Sequence, residues 1–168
     1  MLAAYGNPDL YELSASWSDP TDVQWGTDAG SEYYNQHDTE KAKELLKEAG
    51  YNNEKIVLVT TQDYPEMYNA TLVVQEQLKQ AGINAEVETY DFSTFMEHRS
   101  NPQQFDMFIT SNSYNMLPIQ LSVLDSGWAG LNSSEVSKGI QAIRSAASDE
   151  EAAAAWEKLQ KFLYEYSA

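Results

Sequence analysis

Lys55-Ile-Val-Leu-Val-Thr-Thr61 is a β-branched run with almost no polar alternation. That is the pattern of a strand covered on both faces, so Ile56 to Val59 are expected to be buried on both sides. The residues around it set the architecture. Upstream, Asp38 is placed to cap a helix whose apolar positions Ala42, Leu45, Leu46 and Ala49 share one stripe, and Gly50 supplies a left-handed stop. Downstream, Asp63 and Pro65 open a second helix, with Pro65 in the first turn, where its missing N–H is harmless. Met67, Ala70, Val74, Leu78 and Ala81 form the buried stripe of that helix, and Gly82 ends it.

Farther along, Ile83, Ala85, Val87 and Thr89 alternate with Asn84, Glu86 and Glu88, which predicts a half-exposed strand over 83–90. Asp91 caps a short helix carrying Phe92, Phe95 and Met96, and Phe105-Asp-Met-Phe-Ile-Thr110 is a third strand. Asn132 with Glu135 forms a capping box ahead of Val136, Ile140 and Ile143. Ser148 with Glu151 forms another ahead of Ala152, Trp156, Leu159, Phe162 and Tyr166. Strands separated by helical crossovers pair in parallel, so the fold class is α/β: a layered fold with a mostly parallel sheet flanked by helices. The chain, 1–168, reads as a single domain. In it, 1–37 is an irregular segment rich in aromatics (Tyr5, Tyr11, Trp17, Trp25, Tyr33, Tyr34) packed on the core, and 38–168 is an alternating core with two closing helices.

Composition narrows the function classes. The 168 residues are 42% hydrophobic, a globular composition, and 26 acidic against 10 basic residues give a net charge of −16. Such a field repels phosphate backbones and anionic lipid, so neither a nucleic-acid partner nor a membrane surface is expected. With no cysteine, disulfides, thiolate metal sites and cysteine nucleophiles are excluded. No apolar run approaches the ~18 residues of a membrane span. The opening Met-Leu-Ala-Ala-Tyr-Gly lacks the basic and apolar regions of a signal peptide, so any targeting segment is expected outside these residues.

Catalytic patterns are missing as well. The two histidines, His37 and His98, stand in no metal-ligand spacing and beside no nucleophile, and both are expected at the surface. Asp149, Glu150 and Glu151 are the first turn of a helix, where negative charge favours the dipole. Neither glycine-rich phosphate loops nor oxygen ligands at calcium-loop spacing are present. The chain is therefore not expected to be an enzyme, or to hold a cofactor or metal. A binding site is instead expected beyond the carboxyl ends of the strands, where an open parallel sheet leaves a crevice. That rule selects Thr60 to Tyr64, Tyr90-Asp91, and the loop from Thr110 through Ser111, Asn112, Ser113, Tyr114 and Asn115 to Met116. The last loop is uncharged, dense in hydrogen-bonding groups and walled by Tyr114. It suits a polar ligand held by neutral hydrogen bonds, although Ser and Asn also fill ordinary turns.

His37-Asp-Thr-Glu-Lys-Ala-Lys-Glu-Leu-Leu-Lys-Glu-Ala-Gly-Tyr51, preceded by Tyr33-Tyr34, resembles the corresponding stretch of the family 5 extracellular solute-binding proteins. These are the peptide, dipeptide and nickel receptors of ABC importers. Gln75-Glu-Gln-Leu-Lys-Gln-Ala-Gly-Ile83, Phe95, Phe105-Asp-Met107, Gly127-Trp128 and the closing helices are similar to the same family in the same order. The resemblance implies one lobe of a two-lobed clamp, the lobe continuous in sequence. The 110–116 loop and Trp128 would form part of its cleft wall. It further implies an extracytoplasmic, lipid-anchored receptor whose partners are a small peptide or other polar solute, ABC permease subunits and the amino-side lobe. A sensing or protein-interaction domain of the same fold without transport is the alternative.

One departure bears on the ligand. Peptide-binding members carry a Trp and an Asp just before the proline matching Pro118, and that Asp receives the ligand's α-ammonium group. Here the Asp is replaced by Tyr114 or Asn115, so the charge-assisted bond is missing from this loop. The resemblance to an importer receptor stands, and the peptide itself is left open.

Overall fold

The computed structural model describes residues 2–110, 117–124 and 131–167. The chain divides into two compact units, Met1–Glu12 with His37–Asn112, and Leu13–Gln36 with Ser113–Ala168. The single core expected from the pattern gives way to two apolar clusters.

The first unit holds the sheet. Its elements are α1 (Leu2–Tyr5), α2 (Thr39–Glu48), β1 (Lys55–Thr61), α3 (Pro65–Gln80), β2 (Asn84–Tyr90), α4 (Phe92–Arg99) and β3 (Met107–Phe108). The strands lie in the order β2-β1-β3, all parallel, with Leu58 opposite both Val87 and Met107. Side chains alternate across β1, so its two faces can be assigned from their partners. On one face Thr71 donates from Oγ1 to the Thr60 hydroxyl at 3.1 Å and the Gln75 amide donates to the Ala85 carbonyl at 3.0 Å, seating α3 there. On the other face Val57 and Val59 pack with Phe95, Phe92 and Met96 of α4. Helices thus cover both faces, as the unalternating run requires.

Burial is graded along the strand: Leu58 to Thr61 are fully enclosed, whereas Ile56 and Val57 are only half-buried, short of expectation. The third strand is also shorter than 105–110, with two residues in the ladder. Its late start is set by Asp106, whose N–H donates to the Val57 carbonyl at 3.0 Å while its own carboxylate accepts the Val57 N–H at 2.7 Å. A side chain replaces the strand's carbonyl at that rung, and regular pairing starts one residue later. Because Asp106 is exposed, Asp106→Ala is expected to cost only about 1 kcal/mol. The loss should read out as faster amide exchange at Val57 with the rest of β1 unchanged.

Helix ends follow the capping rules with informative exceptions. The Asp38 carboxylate accepts the Lys41 N–H at 2.9 Å and that of Asp91 accepts the Thr94 N–H at 3.0 Å. Gly50 (φ 75°) and Gly82 (φ 92°) take the left-handed conformation at the helix stops. Asp63 does not cap α3; the cap position is Tyr64, which supplies no side-chain bond. The first closing helix is capped by Ser133, not Asn132, since the Ser133 hydroxyl accepts the Glu135 N–H at 3.2 Å. The stripe of α2 is not buried either: none of its residues is enclosed, and Leu45 is 45% exposed. With so little tertiary support, α2 depends on its cap. Asp38→Ala is expected to cost about 1 kcal/mol of helix stability, measurable as lost amide protection over residues 39–48.

The second unit contains α5 (Ser134–Ser145) and α6 (Asp149–Ser167) packed against each other, with the segment 13–36 laid on α6. Gly139 lets the helices approach, since a Cβ there would stand 2.9 Å from Leu159 Cδ1. Trp25, Leu124, Val136, Ile143, Trp156, Leu159 and Leu163 form the core. Segment 13–36 has little regular structure beyond a turn at Ser31–Tyr33, yet it is strongly anchored. Trp156 Nε1 donates to the Trp25 carbonyl at 3.0 Å. The fully buried Gln160 accepts the Trp17 N–H at 3.0 Å and donates to the carbonyls of Ala29 (2.8 Å), Thr27 (3.3 Å) and Ala15 (3.4 Å). Tyr164 adds its hydroxyl on the Ala15 carbonyl at 2.8 Å, and Lys161 pairs with Glu32 at 2.8 Å.

Candidate functional site

The carboxyl edge of the sheet is formed, among the described residues, by the ends of its three strands in the first unit. At the end of β1 the Thr61 hydroxyl accepts the Asp63 N–H at 3.2 Å, turning the chain outward. Asp63 then reaches across to α4, where its carboxylate accepts the Phe92 N–H at 2.7 Å. This bond joins the β1–α3 and β2–α4 connections, and it explains why Asp63 is not a cap. The turn places the Tyr64 ring edge-on to Phe92, 4.8 Å between centroids. Phe92 stacks on Phe95 at 6.2 Å, and Phe95 meets Phe108 edge-on at 6.3 Å. Tyr64 is therefore the outer end of an aromatic row rooted in the core: Phe95 is 0% exposed, Tyr64 42%.

The end of β2 is organised differently. The Tyr90 hydroxyl donates to the Glu88 carboxylate at 2.7 Å, and that hydrogen bond, with burial and the negative charge, raises the phenol above its ordinary pKa. The Tyr90 ring lies face to face with His98, 4.0 Å apart and 20° from parallel. His98 is thus half-buried and stacked, not a free surface residue. At the end of β3 Arg99 Nη1 donates to the Thr110 hydroxyl at 2.9 Å. Burial lowers the pKa of this guanidinium. Arg99 so fixes the residue that immediately precedes the 111–116 loop.

Chemically, this edge offers an exposed phenol on a rigid aromatic base, carboxylates at Asp63 and Asp91, and hydroxyls. The bonds it displays fix loop positions; among the described residues no nucleophile is paired with a base. Among the described residues no group of three or more His, Asp or Glu converges as a metal site, and no helix is long and apolar enough to cross a membrane. Two of the segments selected from the sequence, Thr60 to Tyr64 and Tyr90-Asp91, stand at this edge. The residues expected to touch ligand, Ser111, Asn112, Ser113, Tyr114, Asn115 and Trp128, lie outside the described residues. The sequence reading missed the Asp63–Phe92 bond and the Tyr64–Phe92 pair. Their signal is an acid and an aromatic directly after a buried strand, overshadowed by the helix-opening reading of Asp63-Tyr-Pro65.

Comparison with known proteins supplies the family. Residues 9–127 match the model of the bacterial extracellular solute-binding proteins, family 5 middle region. A peptide ABC transporter periplasmic-binding protein of Sinorhizobium fredii is 36% identical over 118 residues, covering 67% of this chain and 22% of that protein. The oligopeptide-binding protein AppA of Bacillus subtilis is 29% identical over 143 residues, covering 77% of this chain and 24% of that protein. Among solved structures, the ABC transporter substrate-binding protein CtaP of Listeria monocytogenes superposes with a TM-score of 0.81 at 22% identity, over 98% of this chain and 35% of that one. That last likeness shows the fold. The chain spans less than a quarter of the length of both sequence relatives.

Proposed function

Because the chain belongs to the bacterial extracellular solute-binding proteins of family 5, we propose that it is the ligand-binding lobe of an ABC importer receptor. The proposed receptor is extracytoplasmic and captures a polar solute, with oligopeptides the leading class, without chemical conversion. The observation that carries this reading is the family match over 9–127, which runs through the whole parallel sheet and its carboxyl edge. The edge supports it physically, because a braced, exposed tyrosine beside hydrogen-bonding groups suits non-covalent capture. Permease subunits and the amino-side lobe are the proposed partners, and a segment beyond these residues would carry a lipid anchor. Contacts to ligand are assigned to Ser111, Asn112, Ser113, Tyr114, Asn115 and Trp128, with Tyr64 added from the geometry of the edge.

The names of the sequence relatives, one a peptide transporter component and one an oligopeptide-binding protein, favour peptide. Without an Asp in the 111–118 loop, that loop would meet the peptide's ammonium group with neutral acceptors only. Affinity is therefore expected to change little when that amine is acetylated. Calorimetric titration of the full-length receptor with a peptide library, free and acetylated, tests both points. In that receptor Tyr114→Ala is expected to weaken binding while leaving the melting temperature unchanged; unchanged affinity with a collapsed melting temperature would instead place Tyr114 in the core. Failure of every peptide and polar solute to bind would favour the sensing alternative.

A further inference from the structure

The aromatic row at the carboxyl edge is graded from inside to outside: Phe95 is buried, Phe92 is half-buried, and Tyr64 at the end is exposed. The backbone that carries this last ring is held on both sides. Before it, the Asp63 carboxylate accepts the Phe92 N–H at 2.7 Å. That is a charge-assisted bond to the first amide of α4, where negative charge is favoured. After it, Pro65 restricts Tyr64 to extended backbone, and the residue sits at φ −123° and ψ 95°. The Tyr64 carbonyl then accepts the N–H groups of Met67 (3.0 Å) and Tyr68 (3.1 Å). Met67 is itself buried with Val59 and Phe95, which seats the first turn of α3 on the core.

The core does not need this bracing. Asp63 and Tyr64 are both exposed, and substitutions at such positions usually change stability little. What the bracing fixes is the place of one ring, at the edge where an open parallel sheet receives its ligand. A ring already ordered before binding offers edge and face contacts to another ring without the cost of immobilising a free side chain. Hydrogen-bonding groups alone would hold a small polar solute, and such a solute would leave the ring uncovered.

We infer that Asp63 is a positioning residue for ligand capture, holding Tyr64 as the platform of a subsite that selects an aromatic side chain on the ligand. This inference rests on the importer reading and names a ligand class within it.

The test titrates the full-length receptor with pentaalanine and its five single-phenylalanine variants, by calorimetry. At least one phenylalanine position is expected to bind about tenfold more tightly than pentaalanine. Tyr64→Ala should lower that preference by about threefold or more, and Asp63→Ala by a similar factor. Asp63→Asn keeps an acceptor for the Phe92 N–H and should keep the preference, a rescue that a loss of charge or a general loosening would not give. Three results would each overturn the inference: a parent that binds all five variants within about twofold of pentaalanine, an Asp63→Ala receptor with the parent's preference, or an Asp63→Asn receptor that loses it as fully as Asp63→Ala. So would a Tyr64→Ala receptor that binds every peptide more weakly in the same proportion, since the ring would then face the amino-side lobe. All four results leave the importer reading standing. If none of the six peptides binds the parent, the inference and the peptide reading fall together.

Discussion

Gln160→Leu is expected to lower stability by about 3–5 kcal/mol, because leucine keeps the bulk of the side chain but none of its hydrogen-bonding capacity. Gln160 is 0% exposed and holds four backbone groups of segment 13–36: the Trp17 N–H and the carbonyls of Ala15, Thr27 and Ala29. Leucine leaves the Trp17 N–H and the Thr27 and Ala29 carbonyls without this partner, while the Ala15 carbonyl keeps the Tyr164 hydroxyl at 2.8 Å, and each buried unsatisfied group costs about 1–3 kcal/mol. The long 3.3 Å contact to Thr27 counts for less than the 2.8 Å one to Ala29, which keeps the sum below three full penalties. Thermal unfolding followed by circular dichroism checks it, with a drop on the order of 10 °C expected for a chain of this size. Gln160→Glu sharpens the test, because it keeps an acceptor for Trp17, loses the donors and places a carboxylate among carbonyl oxygens. It should be at least as damaging at neutral pH and partly recover in acid, when the protonated carboxyl can donate again. A Gln160→Leu chain that melts within 2 °C of the parent would show that segment 13–36 is held by its aromatics alone.

Trp156→Ala should cost a similar amount by a different mechanism. The indole is 0% exposed at the centre of the α5–α6 core, and truncating a buried Trp or Phe to Ala costs about 3–5 kcal/mol through lost transfer energy and the cavity left behind. Trp156→Phe separates the two parts of its role. It keeps most of the packing but leaves the Trp25 carbonyl without its 3.0 Å donor, for an expected loss of about 1–3 kcal/mol. Urea denaturation of both variants gives the order parent, Phe, Ala. A Phe variant as unstable as the Ala variant would assign the indole's value to its hydrogen bond instead of its bulk.

What could be read from the residues, and what could not, divides along the range of the interactions. The sheet rests on local signals: a β-branched run at 55–61, an alternating run after it, and glycine stops at Gly50 and Gly82 that take the left-handed backbone those positions require. Its parallel pairing followed from the intervening helices. Errors arose where a side chain replaced a backbone partner, as Asp106 does beside Val57 and Asp63 does at Phe92. Periodicity carries no trace of such bonds. The second core was illegible for a related reason: segment 13–36 has no repeat, and its anchors lie more than 130 positions away in α6. The edge of the candidate site was legible through the topology of parallel sheets, while the bracing of Tyr64 by Phe92 depends on a loop-to-loop approach that no single segment encodes.

The separation between Ala15 and Gln160, 145 positions, also has a meaning for the chain as it is made. Translation proceeds from the amino end, so Trp17 and Trp25 leave the ribosome long before the helix that will cover them. During that interval the β1–α3–β2 portion has every partner it needs within a few dozen residues and can assemble. Segment 13–36 must wait with its aromatic side chains uncovered. It is the stretch of this nascent chain that most needs a holding chaperone, and a ribosome stalled before residue 156 should present it as such.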